Sequence, residues 1–176
     1  MFKILIGVLV VTIAVIATFL ILDPSIGVTT TDPVTEVANT FTVTIEGEVY
    51  KAGSYTMNEG ALMSDLIEAA GGVNNNADQR AYYNEATLTS GMTYYIASRY
   101  DSSDLCNTSE VDKVNINNDD ANTLANVNGI TSTIANSIVT YRNENGLFST
   151  IEQLMEVYGI GSATYRKVRN YVILHA

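Results

Sequence analysis

The sequence predicts an α+β chain in three parts, and three features predict it. Residues 4–22 form an uncharged apolar run, residues 41–46 alternate like a strand before a helical spacing begins, and residues 124–142 repeat as residues 154–172. These patterns read in order as a membrane-spanning helix, a small mixed unit and an all-α unit.

The first part is the simplest. The run at residues 4–22 is 19 residues long, and its only polar side chains are Thr12 and Thr18. At about 1.5 Å per residue such a helix spans roughly 30 Å, one hydrocarbon thickness. Lys3 precedes the run, and Asp23 and Pro24 follow it. The positive flank predicts a single-pass cell-membrane protein with its N-terminus inside and everything after Leu22 outside. A cleaved signal peptide is the other reading; its apolar core usually runs about 7–15 residues. Residues 23–40 are Thr-rich, hold both prolines and show no apolar period, the pattern of an extended stalk.

Charge and composition exclude several classes. The chain carries nine basic and nineteen acidic residues, a net charge of −10. That total argues against a nucleic-acid binder, which usually shows a basic patch. The acid is segregated, however. Residues 23–111 set Lys51, Arg80 and Arg99 against thirteen acids, whereas residues 112–176 set five basic residues against six acids. A lone cysteine, Cys106, excludes an internal disulfide framework and a multi-cysteine metal site. The lone histidine, His175, stands beside the C-terminus, where chains fray. Asp119 and Asp120 are adjacent on an expected helix, so they point about 100° apart and do not share a metal. No nucleophile and base can be assembled, and the expectation is a non-enzyme without catalytic residues, metal or cofactor.

In the middle part, Phe41, Val43 and Ile45 alternate with Thr42, Thr44 and Glu46. Gly47 interrupts the strand, and residues 48–50 resume it toward a turn at 51–53. Asn58 is the expected cap of a helix whose Leu62, Met63, Leu66, Ile67 and Ala70 share a face. Gly71 and Gly72 stop it. A polar loop follows, and residues 92–96 return as a strand. The stretches VTIEGEVYKAGSY, LIEAAGGVNNNAD and NEATLTSGMTYYI together resemble the SLBB family, a ligand-binding β-grasp, over residues 41–97. Ala52 stands where that family usually has Pro, and Ser90 where it has Asp or Asn. The resemblance implies a β-grasp that serves as an adaptor, spacer or pocket. Residues 98–113, polar and turn-rich, read as a linker.

The last part, residues 114–176, carries the repeat. At an offset of thirty, Leu124 matches Leu154, Val127 matches Val157, Gly129 matches Gly159, and Ile130 matches Ile160. Ser132 matches Ser162, Ile138 matches Val168, and Tyr141 matches Tyr171. Each copy reads as a short helix, a tight Val-x-Gly-Ile turn and a second helix. Ser132 and Ser162 are the expected caps, Ser149 to Glu152 a capping box, and Val172 a member of the fourth helix face. A glycine turn opening a helix presents unpaired amides with the helix dipole behind them, an anion site made of backbone. Such a site needs no Lys or Arg.

This pattern resembles the tandem helix-hairpin-helix domain. With the apolar anchor and SLBB-like unit before it, the chain is similar to the ComEA-type DNA receptors of natural competence. The resemblance implies sequence-independent binding of double-stranded DNA outside the membrane and delivery to an uptake-channel protein. Self-association through the β-grasp is a further partner expectation. The family usually reads Pro-Gly-Ile-Gly at both turns. Here the first is Asn128, Gly129, Ile130, Thr131 and the second is Tyr158, Gly159, Ile160, Gly161. Carried over by position, the DNA-binding set is Asn128, Gly129, Ile130, Thr131, Ser132 and Arg142 with Gly159, Ile160, Gly161, Ser162, Arg166 and Lys167; Asn128 and Tyr158 stand where the family has proline, and Tyr158 is left out of the set. A cell-surface protein–protein adaptor is the alternative function.

Overall fold

Val43 and Ile45, the inward residues of the expected alternation, are 1% and 0% exposed in the computed structural model, which describes residues 39–101 and 109–176. They belong to strand β1 (Thr40–Gly47), which pairs antiparallel with β2 (Gly53–Asn58) and parallel with β3 (Thr93–Ile96). The parallel pair requires a crossover, and helix α1 (Met63–Ala69) lies in that connection with Met63 and Leu66 buried. The sheet order is β2-β1-β3. The apolar run at residues 4–22 and Cys106 lie outside the described residues. Among the described residues, no helix is long and apolar enough to cross a membrane.

Two expectations for this lobe change. Asn58 does not cap α1, because it is still paired with Thr40 at the end of β2. The helix begins after Leu62, whose amide donates to the Asp65 carboxylate at 2.8 Å. Residues 48–50 do not resume a strand either; Val49 makes a single bridge to Val73.

The second lobe holds α2 (Ala121–Leu124), α3 (Ser132–Asn145), a 3-10 helix (Ile151–Glu156) and α4 (Ser162–Val168). Burial follows the repeat: Leu124 and Leu154 are both at 0%, as are Ile138 and Val168. The third helix is 3-10, and its cap is Thr150 rather than Ser149. Gln153 closes that cap by accepting from the amides of Ser149 and Thr150. Val172 is not on a helix; Val172–Ile173 (β5) pairs in parallel with Val114–Asn115 (β4), closing the lobe on itself. Asp119 and Asp120 are not side by side on a helix. Asp120 caps α2 and Asp119 accepts from the Asn115 amide. The C-terminus does not fray at His175, whose ring stacks on Tyr83 with centroids 4.8 Å apart and whose amide donates to the Arg80 carbonyl.

The described residues form one unit because polar side chains lock the two lobes together. Glu152, 1% exposed, accepts from the Tyr95 amide of β3 at 2.9 Å and from the Tyr165 hydroxyl of α4 at 2.8 Å. Burial pushes its pKa up, opposed by those hydrogen bonds. Asn170 accepts from the amide and hydroxyl of Ser98. Arg169 pairs with Glu46 at 2.9 Å and lies over the Tyr95 ring, 3.8 Å from its centroid. Asp78 and Lys113, each with a side chain 2% exposed, form a buried ion pair at 2.9 Å.

Two outcomes follow from these locks. Glu152→Ala strands the Tyr95 amide and the Tyr165 hydroxyl, and urea unfolding is expected to show a loss of about 2–4 kcal/mol. Glu152→Gln keeps an oxygen acceptor and removes the buried charge, so it retains most of that stability. Burial alone would raise the Asp78 pKa, but hydrogen bonds from Arg80 and Lys113 outweigh it and hold the carboxyl well below the usual range. A lowered folded pKa contributes stability above the unfolded value of about 3.9 and loses it as pH falls. Asp78→Asn therefore flattens the acid side of the stability–pH curve. At neutral pH it leaves Lys113 buried without a counter-charge, a cost of about 3–5 kcal/mol.

Candidate nucleic-acid interface

Both repeated turns have the same local logic. Val127 and Ile130 are buried on either side of the first, Val157 and Ile160 on either side of the second. Between them Gly129 has φ +116° and Gly159 has φ +91°, conformations that L side chains rarely adopt. The turns also brace each other. A Cβ on Gly129 would meet Val168 Cγ1 at 3.0 Å and Lys167 Cδ at 3.1 Å, both on α4. A Cβ on Gly159 would meet Ile134 Cγ1 at 3.3 Å, on α3. Each turn thus leans on the helix that the other turn opens.

Ser132 and Ser162 are not the caps; they are the first residues of α3 and α4. The caps are Thr131 and Gly161, one residue earlier, because the extended backbone continues past Ile130 and Ile160. Thr131 has φ −75° and ψ 163°, and Gly161 has φ −93° and ψ 176°, so the two turns share a backbone. They differ in what caps them. The Thr131 hydroxyl accepts from the Ile134 amide at 3.3 Å. Gly161 supplies no side chain, and a Cβ there would meet nothing within 4 Å. The opening amides of both helices have no acceptor four residues back. Ser132, Thr133, Ser162 and Ala163 are all exposed.

The charged members of the expected set divide. Arg166 and Lys167 are exposed on α4, with the stem of Lys167 against Gly129. Arg142 instead turns inward and donates to the carbonyls of Ile116 at 2.8 Å and Asp119 at 2.7 Å, tying α3 to the segment before α2. Asn128 lines a cleft of about 810 Å³ together with Lys167 and the carboxylates Asp101, Glu110 and Asp112. Tyr158 lines another of about 500 Å³ with Thr133, Asn136, Glu144 and Glu156. The residues that sequence reasoning misses are those of the lobe–lobe contact: Tyr95, Arg169, Asn170 and the Asp78–Lys113 pair. Only Glu152, a carboxylate inside an apolar stretch, hints at that contact, and the capping box offers it a local role instead.

Two mutually braced glycine turns, each opening a helix within an internal repeat, define a tandem helix-hairpin-helix protein, here joined to a β-grasp lobe. Residues 109–173 match the helix-hairpin-helix motif family, and residues 42–96 match the SLBB domain family. The ComE operon protein 1 of Bacillus subtilis (strain 168) is 31% identical over 142 residues, covering 76% of this chain and 69% of that protein. The chain belongs to that family, the ComEA-type competence DNA receptors. Shorter matches reach an uncharacterized protein of Haemophilus influenzae, 44% identical over 63 residues, 35% of this chain and 56% of that one. The transcriptional accessory protein Tex of Neisseria gonorrhoeae is 36% identical over 66 residues, 35% of this chain and 9% of that one.

The turns predict different outcomes for their glycines. Gly159→Ala forces a Cβ into a strained φ and against Ile134, and urea melts are expected to show a loss of about 1–3 kcal/mol. Gly161→Thr reproduces the first turn's cap in open space, so stability should hold or rise by roughly a few tenths of a kcal/mol.

Proposed function

We propose that this protein is a cell-surface receptor that binds double-stranded DNA without sequence preference and passes it to an uptake-channel protein. Residues 4–22 anchor it, with both lobes outside. The two turns hold phosphates through backbone amides, and the exposed Arg166 and Lys167 add charge beside them. The observation that carries this reading is Gly161. Its φ is ordinary and its surroundings are empty, so the fold has no use for a glycine there. A foreign backbone coming close to the α4 amides does have one. The contacts would be to phosphates, which carry no sequence information. The carboxylates in both clefts favour the second reading, a protein–protein adaptor.

A salt titration with short duplexes separates the two readings. Binding through roughly four phosphates gives a log–log slope of about −3 to −4. Gly161→Val, checked for unchanged helicity, is expected to weaken binding at least about tenfold; undiminished affinity would sink the mechanism, and no binding by the wild type at low salt leaves the adaptor. Because the lobes share a buried contact, the acidic neighbours are best tested in the whole protein. Asp112→Asn is expected to raise affinity roughly twofold at low salt, an effect that fades toward physiological salt as screening sets in.

A further inference from the structure

Tyr158 is 84% exposed, more than Leu147 at 68% or Tyr50 at 64% among the large apolar side chains of the described residues. Its neighbours leave it no route inward, since Val157 and Ile160 are already buried at 3% and 4% and pin the turn on both sides. The turn does not require an aromatic residue at this position, because the repeat places Asn128 there in the first copy, with both flanking apolar residues again buried. The ring therefore projects from the one turn whose glycine cap is open, beside the polar α3 residues Thr133 and Asn136. An isolated exposed tyrosine is ordinary; one on a turn pinned by two buried residues, beside the proposed phosphate site, is placed for contact.

We propose that Tyr158 is a non-ionic DNA contact, its ring packed against the deoxyribose of the nucleotide beside the phosphate held at Gly161. Tyrosine is well suited to such a contact, with a large apolar face, few rotatable bonds and a hydroxyl that stays wet. Every nucleotide presents the same sugar, so the contact adds affinity without adding sequence preference. It also makes the two turns unequal, the second gripping by packing as well as by amides. This inference rests on the DNA reading above.

The chain has no tryptophan, so Tyr158→Trp creates a single indole reporter. Adding duplex DNA to the whole protein is expected to shift its emission to shorter wavelength and shield it from acrylamide. Tyr158→Ala should bind duplex at least about fivefold more weakly with the salt slope unchanged, as befits a contact that releases no counterion, and Tyr158→Phe should bind nearly as the wild type does. If the wild type binds duplex while Tyr158→Ala binds equally tightly and the indole stays open to acrylamide, this inference falls and the DNA reading stands. If the wild type binds no duplex at low salt, both fall.

Discussion

The buried carboxylate of Glu152 is the point on which the arrangement of this molecule depends. It lies on the 3-10 helix that leads into the second turn, and it accepts from the backbone of β3 and from Tyr165 on the helix that the same turn opens. One side chain thus ties the sheet of one lobe to both sides of a hairpin in the other. A buried charge of this kind is a weak source of net stability, since its desolvation offsets much of what its hydrogen bonds return. What it supplies is direction. An apolar residue of the same size would fill the space but would favour this meeting of two particular donors from two lobes no more than any other orientation. Asn170, Arg169 and the Asp78–Lys113 pair repeat the device along the same contact, so the β-grasp lobe is fixed beside the hairpins rather than tethered to them.

That fixed placement bears on the charge of the molecule. An acidic lobe held next to a DNA-binding surface repels phosphate at distances shorter than a Debye length, about 8 Å at physiological salt. Backbone amides at helix starts are suited to this setting, because they bind phosphate without requiring a basic patch. On the proposed mechanism the net charge of −10 bears on the strength and salt dependence of binding more than on whether binding occurs.

The repeat is legible in the sequence because the constraint that creates it is local: Val, Gly and Ile at fixed spacing bury two residues and turn the chain between them. The same locality makes β1 readable from Val43 and Ile45. Caps slip by one residue, from Ser132 to Thr131 and from Ser162 to Gly161, because both members of each pair fit the position and only the backbone decides. Asn58 departs from expectation for a different reason, since pairing with Thr40 outweighs its capping preference. The lobe–lobe contact is hardly legible, with Glu152 its single hint. Glu152, Asn170 and Asp78 are polar residues whose partners lie far away in sequence, and no periodicity announces a hydrogen bond to a distant amide. Arg142 shows the converse: its position matches a family arginine expected to face DNA, whereas its guanidinium is engaged by two carbonyls of its own chain.

On the proposed function the two turns, and not the β-grasp lobe, form the face that meets DNA. Backbone amide shifts of the isotope-labelled protein, followed by NMR as a short duplex is added, distinguish the two faces. The largest changes are expected at residues 129–133 and 159–163, while the amides of β1 and β2 keep their positions. Changes concentrated on the β-grasp sheet, with both turns unmoved, would contradict it.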